Sequence, residues 1–323
     1  MRLLLVKLSS LGDVIHNLPV ASDLARHRPA IQIDWAVEAP YAELVALHPS
    51  VRRVYPVGLR ALKRNLFSTA AWSTFRDQRR ALRQQTYDAI LDTQGLLKSA
   101  WVAGWARGPV SGFDRDSARE PIAARFYQRR FAVSRDQHAV TRNRALAAAA
   151  FDYVCDGEAD YGLDAPGLTS DKDAPSLVFL HATSRANKMW PAPSWVELGR
   201  RAAESGFCIT LPWGSGAERA TSEMLAGAIP GAIVPPAMSL VEAARLMAGA
   251  TAVVGVDTGL AHLSVALQRP TIGIYITTQP RFTGLHGAAN AVNLGGGSEG
   301  MPCVPTVDTV WGRLQPFLAG SGA

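Results

Sequence analysis

Asp257-Thr258-Gly259 divides two runs of different period. Before it, Ala252–Val256 is short, uncharged and rich in valine, the pattern of a buried parallel strand. After it, residues 260–267 carry helical spacing, and Pro270 opens a second apolar run, Thr271–Tyr275. In open α/β sheets ligands bind at the carboxyl ends of strands. The free N–H groups of a helix start, here Gly259 and Leu260, favour anions such as phosphate. His262, four residues beyond Thr258, can stack on or hydrogen-bond a ligand, or simply pack. The same tripeptide also serves as an ordinary cap and turn, and taken alone it does not choose.

Three more loops have this placement. The first, residues 7–19, reads K-L-S-S-L-G-D-V-I-H-N-L-P. Gly12 allows close backbone approach. Asp13, just before a helix, is either an N-cap or a carboxylate placed to act as a general base. No G-x-G-x-x-G is present, so the dinucleotide fingerprint is missing. The second loop, residues 181–191, carries the hydroxyls of Thr183 and Ser184 and the charge of Lys188, donors that suit a diphosphate. The third, residues 211–218, ends on Glu218, which can accept hydrogen bonds from ligand hydroxyls or serve as a first-turn acid. Asp114-Arg115-Asp116 and Asp171-Lys172-Asp173 are D-x-D matches, but neither ends an apolar strand, so no metal is expected.

Alternating periods must position these loops. Residues 3–6 read as a strand and 14–26 as a helix; strands follow at 31–37, 51–56 and 87–91, with helices at 41–47, 67–85, 96–105 and 138–151. Arg76, Arg79, Arg80 and Arg83 lie mostly on one face of the 67–85 helix. Residues 156–176, rich in Asp, Gly and Pro, look like an interdomain linker. The pattern then restarts with strands at 177–180 and 208–211, helices at 195–205, 217–226 and Leu240–Ala248, and a last helix at 307–318. The expectation is an α/β protein of two Rossmann-like halves with a cleft between them.

Composition bounds the partners. With 48% hydrophobic and 19% charged residues the chain is core-forming, and 323 residues are enough for two domains. Three dispersed cysteines, Cys155, Cys208 and Cys303, form neither a disulfide framework nor a metal spacing, which suggests a reducing cytosol. The N-terminus reads as a first strand rather than a signal peptide, and no apolar run approaches a membrane span. Residues 1–164 hold 23 Lys and Arg against 17 Asp and Glu, whereas the remainder holds ten of each. The basic excess of the first half points to an anionic partner there.

Together the loops resemble the lipopolysaccharide heptosyltransferases, sugar transferases of the GT-B fold, over nearly the whole chain. The resemblance rests on Ser9-Ser10-Leu11-Gly12-Asp13-Val14-Ile15-His16, on His181-Ala182-Thr183-Ser184 with Lys188 and Trp190-Pro191, on Leu211-Pro212-Trp213-Gly214, and on Asp257-Thr258-Gly259-Leu260-Ala261-His262-Leu263. Arg119-Glu120-Pro121 and the stretch around Gln137–Arg144 resemble members that add the first heptose more than those that add the second. Ser184 stands where a second threonine is common, which keeps the hydroxyl.

The resemblance implies residues 1–164 as an acceptor-binding domain and 175–306 as the ADP-heptose-binding domain, with the last helix packing back on the first. It implies ADP-L-glycero-β-D-manno-heptose as donor, the inner Kdo of Kdo2-lipid A as acceptor, and inversion without a cofactor or metal. Asp13 matches the general base. Thr183, Ser184 and Lys188 match diphosphate contacts; Glu218 and Asp257 match groups near the heptose or diphosphate. Met238, Thr258, Gly259, Leu260 and His262 match the nucleotide pocket. Ser10, Gly12, Arg60, Lys63, Arg64 and Arg119 fall on the acceptor side. The expected setting is a monomer, peripheral on the anionic cytoplasmic face of the inner membrane, with no nucleic acid partner. The rivals are an enzyme adding a later heptose and a non-catalytic nucleotide- or nucleic-acid-binding module.

Overall fold

A computed structural model of the chain describes all residues except 66, 165–167, 169–174, 184, 288, 299 and 320–323. The chain divides into two compact units, Met1–Leu163 and Asp164–Ala323.

The first unit is a six-stranded sheet whose pairs are all parallel. Its elements run β1 (Arg2–Val6), α1 (Leu11–Ile15), α2 (Leu18–His27), β2 (Gln32–Glu38), α3 (Ala42–Ala46), β3 (Val51–Val57), α4 (Leu59–Arg64), α5 (Thr69–Arg83), β4 (Ala89–Asp92), α6 (Leu97–Ala103), β5 (Val110–Phe113), β6 (Arg129–Phe131) and α7 (Ala139–Phe151). The strand order β3-β2-β1-β4-β5-β6 is that of the doubly wound dinucleotide fold, and it reverses between β1 and β4. β1 is central, so Leu3, Leu4, Leu5 and Val6 are all fully buried, which is why its sequence shows no alternation. The single helix expected over 14–26 is instead two, because Pro19 lacks an N–H and is accommodated in the first turn of a new helix. The buried pair Asp23–Arg144, 2.7 Å apart, ties α2 to α7.

The second unit holds β7 (Ser176–Leu180), α8 (Ala192–Glu204), β8 (Cys208–Thr210), α9 (Gly216–Ala228), α10 (Leu240–Ala248), β9 (Ala252–Val256), α11 (Gly259–Ala266), β10 (Thr271–Tyr275), α12 (Pro280–Thr283), β11 (Ala291–Gly295) and α13 (Val307–Ala319). Its parallel sheet has the order β11-β10-β9-β7-β8 and reverses between β7 and β9. Phe179, Trp190 and Trp195 fill the core on one side. The last helix packs on α8, β9 and β10 of this unit. Val310 and Leu314 on its inner face are fully buried, and Trp190 Nε1 donates to Pro305 O just before it.

The pattern of the sequence misses β5, β6 and β11. V-S-G-F is too short and polar to read as a strand, R-R-F lies at a sheet edge, and A-V-N-L-G is only half-buried at another. Among the described residues no helix is long and apolar enough to cross a membrane.

Candidate active site

Both sheets put polar loops at their points of reversal, where open α/β sheets bind ligands. In the first unit these are the loops after β1 and β4. Trp35 Nε1 donates to Lys7 O, and Leu8 N donates to Gln94 Oε1 at 2.6 Å, so two neighbouring strands shape the start of the loop after β1. Gly95 has φ +66°, and a Cβ there would press on Arg119 N at 3.3 Å. Glycine at this position therefore lets the backbone carrying Arg119 lie close against the β4 loop.

Asp13 is not an N-cap. Ser10 occupies that position and Asp13 is the third residue of α1, receiving hydrogen bonds on Oδ2 from Ser10 N (2.8 Å) and Ser10 Oγ (3.0 Å). Arg119 Nη1 lies 3.3 Å from Oδ1, and the carboxylate remains 23% exposed. Burial pushes its pKa up, but the charges of Lys7 and Arg119 and the Ser10 bonds outweigh burial and hold it below the usual aspartate value. Lys7 is buried and donates to Thr93 O (2.9 Å) and Asn143 Oδ1 (3.4 Å); burial brings its pKa down to about 8, with Asp13 opposing. Lys98 Nζ donates to Ser9 Oγ at 2.8 Å, and its pKa is lowered by burial and then by Arg60. The result is an ionised, reachable carboxylate in a cationic rim, able to take a proton from a bound hydroxyl.

The structure thus gathers Ser10, Gly12, Asp13 and Arg119 around the start of α1. Arg60 belongs to the same rim through its neighbours. Its N–H donates to Glu38 Oε2 at 3.4 Å and its Nη1 to the Tyr41 hydroxyl at 2.9 Å, while burial raises the Glu38 pKa. Lys63 and Arg64 stand exposed in the last turn of α4.

In the second unit the loops after β7, β9 and β10 converge on Asp257. Lys188 Nζ lies 2.6 Å from Asp257 Oδ2, Thr278 Oγ1 donates to the same oxygen at 2.9 Å, and Thr183 Oγ1 donates to Asp257 O at 2.9 Å. Thr258 is the N-cap of α11, with Gly259 and Leu260 half-exposed in its first turn. His262 is buried within that helix, and Met238 is half-buried before α10. Ser215 caps α9, its Oγ accepting from Glu218 N, and Glu218 in the first turn accepts on Oε2 from Gly214 N at 2.7 Å. Ser184 lies outside the described residues.

Lys7 and Thr278 escaped the sequence reading, though each had a signal. Lys7 directly follows the apolar run Leu3–Leu4–Leu5–Val6, and Thr278 closes Ile276-Thr277-Thr278 after β10. Of the two D-x-D matches, Asp114 accepts from Ser117 N in a local turn, and Asp171 and Asp173 lie outside the described residues. Among the described residues no three His, Cys, Asp or Glu side chains cluster to hold a metal.

Two parallel Rossmann-type sheets with polar loops at both reversal points define an α/β protein of the GT-B class of glycosyltransferases. Residues 75–310 match the profile of "Glycosyltransferase family 9 (heptosyltransferase)". Lipopolysaccharide heptosyltransferase 1 of Pseudomonas aeruginosa is 48% identical over 308 residues, covering 94% of this chain and 86% of that protein. The structure of E. coli heptosyltransferase WaaC with ADP superposes with a TM-score of 0.89 at 38% identity, covering 99% of each chain. The same enzyme with ADP-2-deoxy-2-fluoro heptose gives 0.86 at 37% identity and covers both chains completely. The chain therefore belongs to glycosyltransferase family 9, the heptosyltransferases, and is an enzyme of glycosyl transfer.

Proposed function

We propose that the protein moves L-glycero-D-manno-heptose from ADP-heptose to the inner Kdo of Kdo2-lipid A, with inversion, in assembly of the lipopolysaccharide inner core. The single observation that carries this reading is Asp13, a carboxylate kept ionised yet accessible at the reversal point of the first sheet. Its proposed role is to take the proton of the acceptor hydroxyl as that oxygen bonds to the anomeric carbon of the heptose. The bond from that carbon to the phosphate oxygen breaks in the same displacement, and ADP leaves with the electron pair. Lys188 and the amides at the start of α11 are suited to the charge that grows on the diphosphate, with Thr183 beside them. Backside displacement on the β-linked donor yields an α-linked heptose. The rim of Lys98, Arg119 and Arg60, extended by Lys63 and Arg64, suits the carboxylates of Kdo and the phosphates of lipid A.

This reading assigns neutralisation of the leaving group to protein groups, without a metal, and describes a monomer working at the cytoplasmic face of the inner membrane. It is supported by the identity to heptosyltransferase 1 and by the matching E. coli structures, one with ADP and one with ADP-2-deoxy-2-fluoro heptose. The test is ADP release from ADP-heptose with Kdo2-lipid A, with an already heptosylated acceptor, or with none, each with and without EDTA. Turnover only with Kdo2-lipid A, unaffected by EDTA, and an α-configured product by NMR is the expected result. Preference for the heptosylated acceptor would assign the enzyme to a later step. Loss in EDTA reversed by a divalent ion would overturn the metal-free assignment.

A further inference from the structure

One outer face of the first unit carries a chemistry that the transfer does not use. Trp72 and Phe75 on α5 have ring centroids 5.9 Å apart, and Trp101 on α6 stacks on Phe75 at 5.8 Å. Trp105 closes the cluster from within, 5.0 Å from Trp101 and 5.2 Å from Phe75. Phe75 and Trp105 are buried, whereas Trp72 is 41% and Trp101 48% exposed, and Phe67, just before α5, is fully exposed. Farther along α5, Arg76, Arg79, Arg80 and Arg83 line one shallow groove with Gln84 and Arg107. Asp77, 3.6 Å from Arg80, offsets a single charge of the five arginines.

The spacing explains the layout. Trp72, Arg76, Arg79 and Arg83 recur at helical intervals and form one stripe, while Phe75 and Leu82 turn inward. A merely solvated helix accounts for the arginines but not for indoles half-exposed beside them. Single-stranded nucleic acid is held by rings interleaved with charges along a groove. Here the rings lie at one end and the guanidiniums at the other, as suits indoles among lipid headgroups and arginines on their phosphates.

We propose that the α5–α6 face docks the enzyme on a bilayer surface bearing anionic lipid headgroups. The proposal deepens the reading of a lipid-anchored acceptor and rests on it for its purpose. α4, with Arg60, Lys63 and Arg64, packs on α5, so docking sets the acceptor-side basic loop beside the bilayer.

The full-length protein is to be sedimented with phosphatidylcholine vesicles, with and without phosphatidylglycerol, no acceptor being present. Binding should require phosphatidylglycerol and fall as salt rises. Arg79→Glu with Arg83→Glu should weaken it by roughly fivefold or more per arginine, and Arg79→Lys with Arg83→Lys should keep most of it. Trp72→Ser with Trp101→Ser should weaken it even at low salt. Melting temperature and turnover on a deacylated, water-soluble acceptor should stay unchanged in the arginine variants. No sedimentation of the parent with phosphatidylglycerol vesicles, undiminished binding by the Arg→Glu pair, or displacement of vesicles by single-stranded DNA would overturn the proposal. Because the vesicle arm contains no acceptor, failure of the acceptor assignment shows only in the turnover arm.

Discussion

Lys188 Nζ lies 2.6 Å from Asp257 Oδ2, joining the loop after β7 to the loop after β9, and Thr278 Oγ1 reaches the same oxygen from the loop after β10. Both charged side chains are largely shielded, at 17% and 13% exposure. Lys188 is therefore not a loose surface cation. It is a charge already held at the strand ends, and in the proposed reaction the donor diphosphate would share it with Asp257 or take it over.

From this pair follows a split between affinity and stability. Lys188→Met should raise the donor KM by about 10–100-fold, the range expected for a charge-assisted hydrogen bond, and leave the acceptor KM nearly unchanged. It should also lower the melting temperature, because Asp257 loses its cation in a shielded setting. Adding Asp257→Asn should recover much of the melting temperature and none of the donor affinity. If the double variant recovered both, the pair would be a structural clip and the diphosphate would be held elsewhere.

Asp13→Asn should keep the fold of the first unit and the donor KM while lowering kcat by about 10²–10⁴-fold. Asparagine retains an acceptor oxygen for Ser10 N, so α1 stays capped, but it cannot take a proton. Donor binding by calorimetry and single-turnover rates separate the two effects. A rate within a few-fold of the parent would leave Asp13 a capping residue only.

The loops were legible because buried parallel strands make uncharged runs that end abruptly in polar residues. Ala252–Val256 and Thr271–Tyr275 have the same bounds in sequence and structure for that reason. Edge strands escaped: Arg129–Phe131 buries too little to show a pattern. Asp13, Lys188 and Asp257 could be singled out as candidates because each is a charged residue in a polar loop that follows an apolar strand. Candidates whose surroundings depend on burial could not be singled out in this way. Lys7 becomes an electrostatic partner of Asp13 only because the sheet buries it, and Thr278 gains its role only by the folding of a third loop toward Asp257.

Burial of Lys7 gives two pH signatures. In its proposed role as base Asp13 must be deprotonated, and its pKa is depressed, so kcat/KM should hold as pH falls through the ordinary aspartate range and drop only below it. Lys7→Met removes the largest influence holding that pKa down and leaves burial opposed only by Arg119 and Ser10, so the acid limb should move up. For stability the sign is opposite to that of a salt-bridged lysine. The folded pKa of about 8 lies below the unfolded value, so the unfolded chain binds more protons between them. The Lys7 contribution to stability should therefore rise as pH goes from about 8 toward the ordinary lysine value, and Lys7→Met should flatten that rise in urea titrations. An acid limb that does not move would mean that Lys7 supports the Thr93 loop without tuning Asp13.

The last prediction concerns Arg60, Lys63 and Arg64 on α4. The three are exposed, but only Arg60 is anchored, by its backbone to Glu38 and by its guanidinium to the Tyr41 hydroxyl and ring. Reversing all three to Glu should raise the acceptor KM strongly and the donor KM little, because the donor contacts proposed above belong to the second unit. Added salt should weaken acceptor use in the parent and much less in the triple variant, since screening acts on charges that have been removed. Singly, Arg60→Ala should cost more than Lys63→Ala: a held guanidinium loses less freedom on binding and can pair bidentately with a carboxylate or phosphate. Arg60→Lys should recover little for the same reason. Equal loss of donor and acceptor affinity would assign α4 to the fold of the first unit instead, and unchanged kinetics with all three reversed would move acceptor recognition to Arg119 and Lys98 around Asp13.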